Sequence, residues 1–480
     1  MTANVYTHPV PRDARRLPGP APMPILGAWG NRVRFFADPV AGLLRLHEHH
    51  GRVAALTASD PSFVAVFGAE HNRRVLSDRD LFHNGVASFG EARKGTAMRR
   101  LDTSLPFMNG ERHKQQRKLI APVFAKEHVR AHRDDIVRIA ADMLERVRVG
   151  ATIDVVAEMV SLSVRVALRC IFGVDAGTEA YELGRLGVGF LEGVSSLGVQ
   201  LLPYDIPGTP YHRHARLCER LEGRLLALIQ ERRRQGAGGV DALSVLVRAR
   251  DEHGVSLTDT ELLGQTNVLF VGGYETTAHT LAWTLFLLSQ HPRVLADLQD
   301  ELRAQLRGDA PTVDQLGELI LLDAVVKESM RLFPATPLLF FRHSTAAFEL
   351  GPYILPAGSS LVLSPLVTHR IPESYPAPRR FVPERWSSAD PSPYEYLPFG
   401  AGPRLCVGVA FASLEIRIVL AMILQRVRLD LAPAARVSRR MHGINMGFRH
   451  GLLMRVKAMD DAPPPSCRVR GDVHDLVDLD

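Results

Sequence analysis

The ten residues Phe399-Gly400-Ala401-Gly402-Pro403-Arg404-Leu405-Cys406-Val407-Gly408 put a thiol in a setting that favours its ionised form. Two glycines and a proline build a tight loop where side chains would obstruct something close by. Cys406 falls where a final helix is expected to begin, so the positive helix end favours a thiolate. Arg404 adds positive charge and can grip a carboxylate. Phe399 can shield the sulfur from water, and Gly408 lets the backbone approach a flat ligand. A cysteine taken singly is ordinarily a buried free thiol.

A second constellation is Gly272-Gly273-Tyr274-Glu275-Thr276-Thr277, inside a long apolar helix. Glycines and β-branched residues weaken helices, so their presence there argues for a site. Thr276 lies four residues after Gly272, so its hydroxyl can bond that carbonyl and open the helix locally. The competing reading is a glycine packing notch with back-bonded threonines. Glu328 and Arg331 stand three residues apart on one helix face, which is also the spacing of an ordinary solvated ion pair.

Taken together, the cysteine loop resembles the haem-binding loop of the cytochrome P450 family, FGxGxRxCxG, at all six fixed positions. At residue frequencies near ~5%, six such matches arise by chance in on the order of 10⁻⁵ of chains this long. The resemblance implies that Cys406 is the proximal iron ligand, that Arg404 binds a haem propionate and that Phe399 packs near the sulfur. A thiolate ligand pushes electron density toward iron and favours O–O cleavage. The helix motif is similar to the family's oxygen-activation signature, which makes Glu275 and Thr276 a proton relay acting with water and puts Gly273 in the groove bordering the haem.

The segment Phe381-Val382-Pro383-Glu384-Arg385-Trp386 resembles the family's second arginine element, which implies a structural triad of Glu328, Arg331 and Arg385 holding the cysteine loop. His113 and Arg117 match the family's HxxxR variant on a helix over a propionate, although that pair alone equally describes an exposed basic helix face. Arg342 is a similar candidate. Ile371 stands where relatives often carry an aspartate.

The elements that must position these residues read as follows. A proline-rich segment over residues 1–24 is extended, and Val53 to Leu56 with Phe63 to Phe67 read as a hairpin. From Glu111 to His291 the chain is mainly helical, ending in a helix from Thr258 to Gln290 with a capping box at Thr258 and Glu261. After Phe333 come short strands, a second proline-rich stretch, a helix from about Cys406 to Gln425, and paired strands near Gly443 to Val456. Residues 460–480 read as a disordered tail. The resemblance implies a mainly α fold with a small β region, a triangular prism of helices over residues 25–459. Haem b would lie between the long helix and the cysteine-loop helix.

The 480 residues are 46% hydrophobic and 23% charged, which fits a globular protein. Aromatics are only 7% and the net charge of +6 comes from scattered arginines, so no nucleic-acid surface is indicated. The four cysteines lack CxxC spacing, which excludes a zinc site or disulfide framework and fits the cytoplasm. No signal peptide or transmembrane anchor is read.

The expected activity is monooxygenation of a hydrophobic small molecule, a terpenoid, fatty acid or polyketide, by a monomer. No flavin or iron–sulfur segment is read, so electrons are expected from a ferredoxin and ferredoxin reductase. Arg112, Lys114, Arg117 and Lys118 would offer an acidic donor a basic face. The rivals are a peroxygenase or rearranging enzyme of the same fold, and a non-enzymatic haem carrier or sensor.

Overall fold

The computed structural model describes residues 16–479 except 86–94, 176, 195, 197, 200, 201, 237, 434 and 460–468. Its contacts divide the chain into two compact units where the sequence reads as one domain. The first comprises residues 1–87, 336–378 and 391–405; the second comprises 88–335, 379–390 and 406–480.

The first unit is organised by a five-stranded sheet. Val53–Ala55 and Val64–Val66 form the expected hairpin, with Val53 opposite Val66. Both strands are buried throughout, as short runs of valine and alanine allow. Val64–Val66 runs parallel to Ser360–Leu363, and the sheet continues antiparallel through Phe341–Ser344 to Phe82–Gly85. The proline-rich start lies along this edge, where the Ala55 N–H donates to Pro18 O at 2.7 Å. That bond uses a carbonyl a proline still owns, although proline cannot donate.

The second unit is helical around Asp259–Gln290. The capping box at its start is complete: Glu261 N donates to Thr258 Oγ1 at 3.3 Å, and Thr258 N donates to Glu261 Oε2 at 3.1 Å. This helix packs against Val155–Phe172, Ile320–Leu332 and Val409–Arg426. Near its C-terminal end Trp283, wholly buried, is sandwiched between Phe333 and Phe448 at 4.2 and 3.8 Å. The hairpin of Arg439–His442 and Asn445–Phe448 lies on the same helix, held by Trp283 Nε1 donating to Met446 O.

Two expectations change. The last long helix begins at Val409 and not at Cys406, because Val407-Gly408 form a turn and Gly408 is its N-cap. The tail expected to be disordered is placed over residues 469–479, with Val469, Val473, Leu476 and Val477 buried. Asp472 and Asp475 pair with Arg439, and Asp478 pairs with Arg379. Proline and mixed charge dominate the composition of the stretch, but these four apolar side chains give it surface to bury. Residues 460–468 lie outside the described residues.

Candidate active site

In the first unit the loop before Cys406 is fixed by backbone geometry. Gly400 and Gly402 have φ of +70° and +66°, and a Cβ on Gly402 would sit 2.5 Å from Leu76 O. Only glycine meets both demands at Gly402. The preceding segment is pinned by two side chains that the sequence reading passed over. The Leu397 N–H donates to His369 Nε2 at 2.9 Å, and Asn72 Nδ2 donates to Tyr394 O at 3.0 Å. Ile371, the departure from the family pattern, is buried beside Gly68, so an apolar contact takes the place of a charge. Phe399 is half-buried.

Arg342 comes from the middle of the sheet, is 4% exposed and donates to Phe340 O at 2.7 Å. Burial, and then repulsion from the Arg404 guanidinium, pull its pKa down to about 9. Two guanidiniums that repel each other in a desolvated setting are stabilised by an anion between or beside them. Carboxylates such as the propionates of haem have the required charge, so this pair fits that group.

In the second unit Cys406 is accessible to solvent while closely surrounded by protein. Burial raises its thiol pKa; the Gly408 N–H and the Arg117 guanidinium oppose the rise without overcoming it. Burial therefore outweighs the charge-favouring surroundings that the sequence alone suggests for this thiol. A thiol that coordinates a cation is deprotonated outright, so the donor still suits iron. Arg117 is half-buried and stands one turn from His113, which is 3% exposed, on the helix Gly110–Ile120. The pair faces inward and is not a solvated basic face.

The long helix carries the expected acid and alcohol. Thr276 Oγ1 donates to Gly272 O at 2.9 Å, and Thr277 and Thr280 repeat the pattern on Gly273 and Thr276. The helix stays continuous through these bonds, so the local opening expected from them is absent. The room comes instead from the glycines. A Cβ on Gly272 would meet nothing within 4 Å, and one on Gly273 would meet only Ile171 at 3.8 Å. Glu275 is 6% exposed, and its Oε2 accepts from Asn445 Nδ2 at 2.6 Å. Burial and the charge of Glu192 raise its pKa, against the Asn445 hydrogen bond.

The triad forms inside the second unit and is larger than expected. The fully buried Glu328 accepts from Arg331 Nε and Nη2 at 2.9 and 2.8 Å and from Arg385 Nε at 3.0 Å. Val382 N and Trp386 Nε1 also donate to it, each at 3.0 Å. What the carboxylate braces directly is the segment 380–386, whose Arg380 carbonyl also accepts from Arg331. Trp386 was missed, although a buried indole N–H always seeks an acceptor.

The basic face expected for an electron donor is interleaved with acids. Arg112, Lys114 and Lys118 pair with Glu261, Glu111 and Glu252 at 3.5, 3.5 and 3.4 Å. The apolar residues Met98, Leu101, Leu105 and Met108, which precede the helix Gly110–Ile120, are buried. No helix among the described residues is long and apolar enough to cross a membrane.

Residues 17–454 match the family model described as Cytochrome P450. A cyclooctat-9-en-7-ol 5-monooxygenase of Streptomyces melanosporofaciens is 33% identical over 425 residues, covering 86% of this chain and 89% of that protein. A pentalenene oxygenase of Streptomyces avermitilis is 29% identical over 432 residues, covering 87% and 92%. Among solved structures, a retinoic acid-bound cyanobacterial CYP120A1 superposes with a TM-score of 0.79 at 23% identity, covering 93% of this chain and all of that one. That likeness concerns the fold.

Proposed function

Because the chain belongs to the cytochrome P450 family and is a haem-iron monooxygenase of that family, we propose that it hydroxylates or epoxidises a cyclic terpenoid. The observation that carries the monooxygenase reading over a peroxygenase, a rearranging enzyme or a haem carrier is an acid and an alcohol in place on one helix turn. Glu275 is buried with a raised pKa, and the Thr276 hydroxyl is oriented by Gly272 O. An acid whose burial favours the protonated form, beside an oriented hydroxyl, can take up protons and hand them inward.

When bound, haem iron supplies the reductive activation of dioxygen and the insertion of one oxygen atom. Cys406 is the proposed axial ligand, and haem b the proposed form. Arg342, Arg404, His113 and Arg117 are the proposed propionate partners, and Phe399 is the proposed shield of the sulfur. Gly273, with Gly272, keeps side chains off the inner face of the long helix. Glu328, Arg331 and Arg385 serve folding and haem retention. Electrons come from a separate ferredoxin and its reductase, and the enzyme works as a cytoplasmic monomer.

The terpenoid assignment rests on the names of the two Streptomyces relatives and on the apolar residues near the long helix. It is tested by titrating the ferric enzyme with cyclooctat-9-en-7-ol, pentalenene and a saturated fatty acid, reading the spin-state shift of the haem spectrum. A shift with either terpenoid at micromolar concentration supports it. A shift with the fatty acid alone, or with none of the three, overturns it.

A further inference from the structure

The acid of the oxygen-activation motif has a second neighbour that the motif does not foresee. Glu275 Oε1 lies 3.5 Å from His442 Nδ1, on the strand Arg439–His442, while Oε2 is held by Asn445 on the returning strand. The two partners are three residues apart and straddle the hairpin turn, so one carboxylate is met on each oxygen by one strand. The 3.5 Å separation is longer than a normal N–H···O hydrogen bond and within ion-pair range.

His442 is suited to more than contact. Its side chain is 27% exposed, so it reaches from the buried carboxylate toward solvent. Yet its Nε2 is buried and has no protein partner, and the same holds for Nδ1 of His279. The two rings are 6.1 Å apart. Buried imidazole nitrogens of this kind are satisfied by ordered water. His279 fits closely against the hairpin, since a Cβ on Gly447 would lie 2.4 Å from its Nε2.

The charged and titratable groups facing this corner are few. Glu192, from the helix Thr178–Val194, raises the pKa of Glu275, and Tyr274 on the acid's own helix is itself pushed up by burial and then by Glu275. Burial and then Arg440 hold His442 below the usual imidazole range, and burial takes His279 down to about 3. Near neutral pH both imidazoles are uncharged, and an uncharged imidazole can accept a proton on one nitrogen while releasing one from the other.

We propose that His442 is the proton entry of Glu275, taking a proton at its buried Nε2 from a bridging water as it passes the proton on Nδ1 to Glu275 Oε1. The step makes one N–H and one O–H bond and breaks one O–H of water or hydronium and one N–H. The carboxylate becomes a carboxyl, and the imidazole ends as its other tautomer, reset by exchange with solvent. The proposal rests on the reading of Glu275 as the reaction's proton relay. His279 is a positioning residue, keeping the His442 ring against the long helix.

The test follows the Glu275 carboxyl proton itself. In the ferric holoenzyme, the carbonyl stretch of protonated Glu275 is identified by its loss in Glu275→Gln. Its downshift after mixing into heavy water then gives the exchange rate. His442→Phe and His442→Gln should each slow that exchange at least tenfold, because neither side chain can pass a proton through. Glutamine keeps an amide near Oε1, so wild-type exchange in His442→Gln would reduce His442 to a pin for the hairpin and overturn the proposal. Wild-type exchange in His442→Phe, or no Glu275-dependent band between pH 5 and 8, would overturn it too.

A parallel arm follows NADPH-driven oxygen uptake without added substrate, using a surrogate ferredoxin and reductase. If Glu275→Gln slows uptake but exchange is unchanged in both His442 variants, the entry is elsewhere and the relay reading stands. If Glu275→Gln leaves uptake unchanged, the relay reading falls and the proposal falls with it.

Discussion

Replacing Glu328 by glutamine tests whether the buried ion network is the brace that the second unit depends on. Glu328 and Arg331 have no exposed side-chain surface, and Arg385 has 11%. Glutamine preserves shape, but it removes the one carboxylate the two guanidiniums share and turns an amide N–H₂ toward groups that only donate. Breaking one member of a buried ion pair costs about 3–5 kcal/mol, and the misdirected amide overlaps with that loss, so about 4 kcal/mol is a fair expectation. At about 1.4 kcal/mol per decade this is roughly a thousandfold in the unfolding equilibrium. With an m value of about 3 kcal/mol per M urea, the midpoint falls by about 1 M. The assay is urea denaturation followed by far-UV circular dichroism, with the fraction of haem retained read from the visible spectrum. The exposed Glu48→Gln is the control, expected to change stability by less than about 0.5 kcal/mol. A Glu328→Gln midpoint within about 0.2 M of wild type, with haem content intact, would refute the reasoning.

Cys406→Ala should abolish the thiolate-type spectrum of the reduced, carbon monoxide-bound protein, and survival of that spectrum would end the ligand assignment. Arg342→Leu removes the buried member of a mutually repelling pair of cations, so haem should dissociate at least ~10-fold faster while the haem-free chain is no less stable; unchanged haem dissociation into apomyoglobin would count against a propionate role. Thr276→Ala should divert NADPH-driven turnover toward hydrogen peroxide with little change in folding, and coupling equal to wild type would contradict the relay. Glu415 is fully buried, accepts a hydrogen bond from Ser163, and has its pKa pushed up to about 8, chiefly by burial. A carboxyl raised in the fold binds its proton more tightly folded than unfolded, so its favourable contribution is complete below about pH 4 and is lost as pH rises toward 8. Glu415→Gln should therefore raise the urea midpoint relative to wild type at pH 8 and not at pH 5; equal midpoints at both would disprove the assignment.

The parts of the site legible in the sequence are those carried by local spacing. The capping box at Thr258 and Glu261, the Thr276 bond to Gly272 and the Glu328–Arg331 pair each join residues three or four apart, where helix geometry alone decides who meets whom. The loop Phe399 to Gly408 was legible for a related reason: glycine at positive φ and a cysteine before a helix are local demands. What could not be read joins distant segments. His442 and Asn445 meet Glu275 across some 170 residues, and His369 meets Leu397 through the register of a turn. Neither spacing nor periodicity carries such information. The charge of the Arg112–Lys118 face was misjudged likewise, because Glu252 and Glu261, which offset it, come from beyond its own helix. The thiol of Cys406 shows the balance of terms: the helix end and Arg117 were visible in principle, but the burial that outweighs them belongs to the tertiary fold.

The packing of residues 469–479 bears on where the protein should be cut or labelled. The family match stops at residue 454, and a boundary drawn there would discard Val473, Leu476 and Val477 together with the carboxylates of Asp472 and Asp475. Those carboxylates hold Arg439, the first residue of the strand that ends at His442. An affinity tag fused directly after residue 479 would therefore adjoin a packed segment. A truncation at 459, chosen because the sequence beyond it looks dispensable, would be expected to loosen the hairpin that touches Glu275.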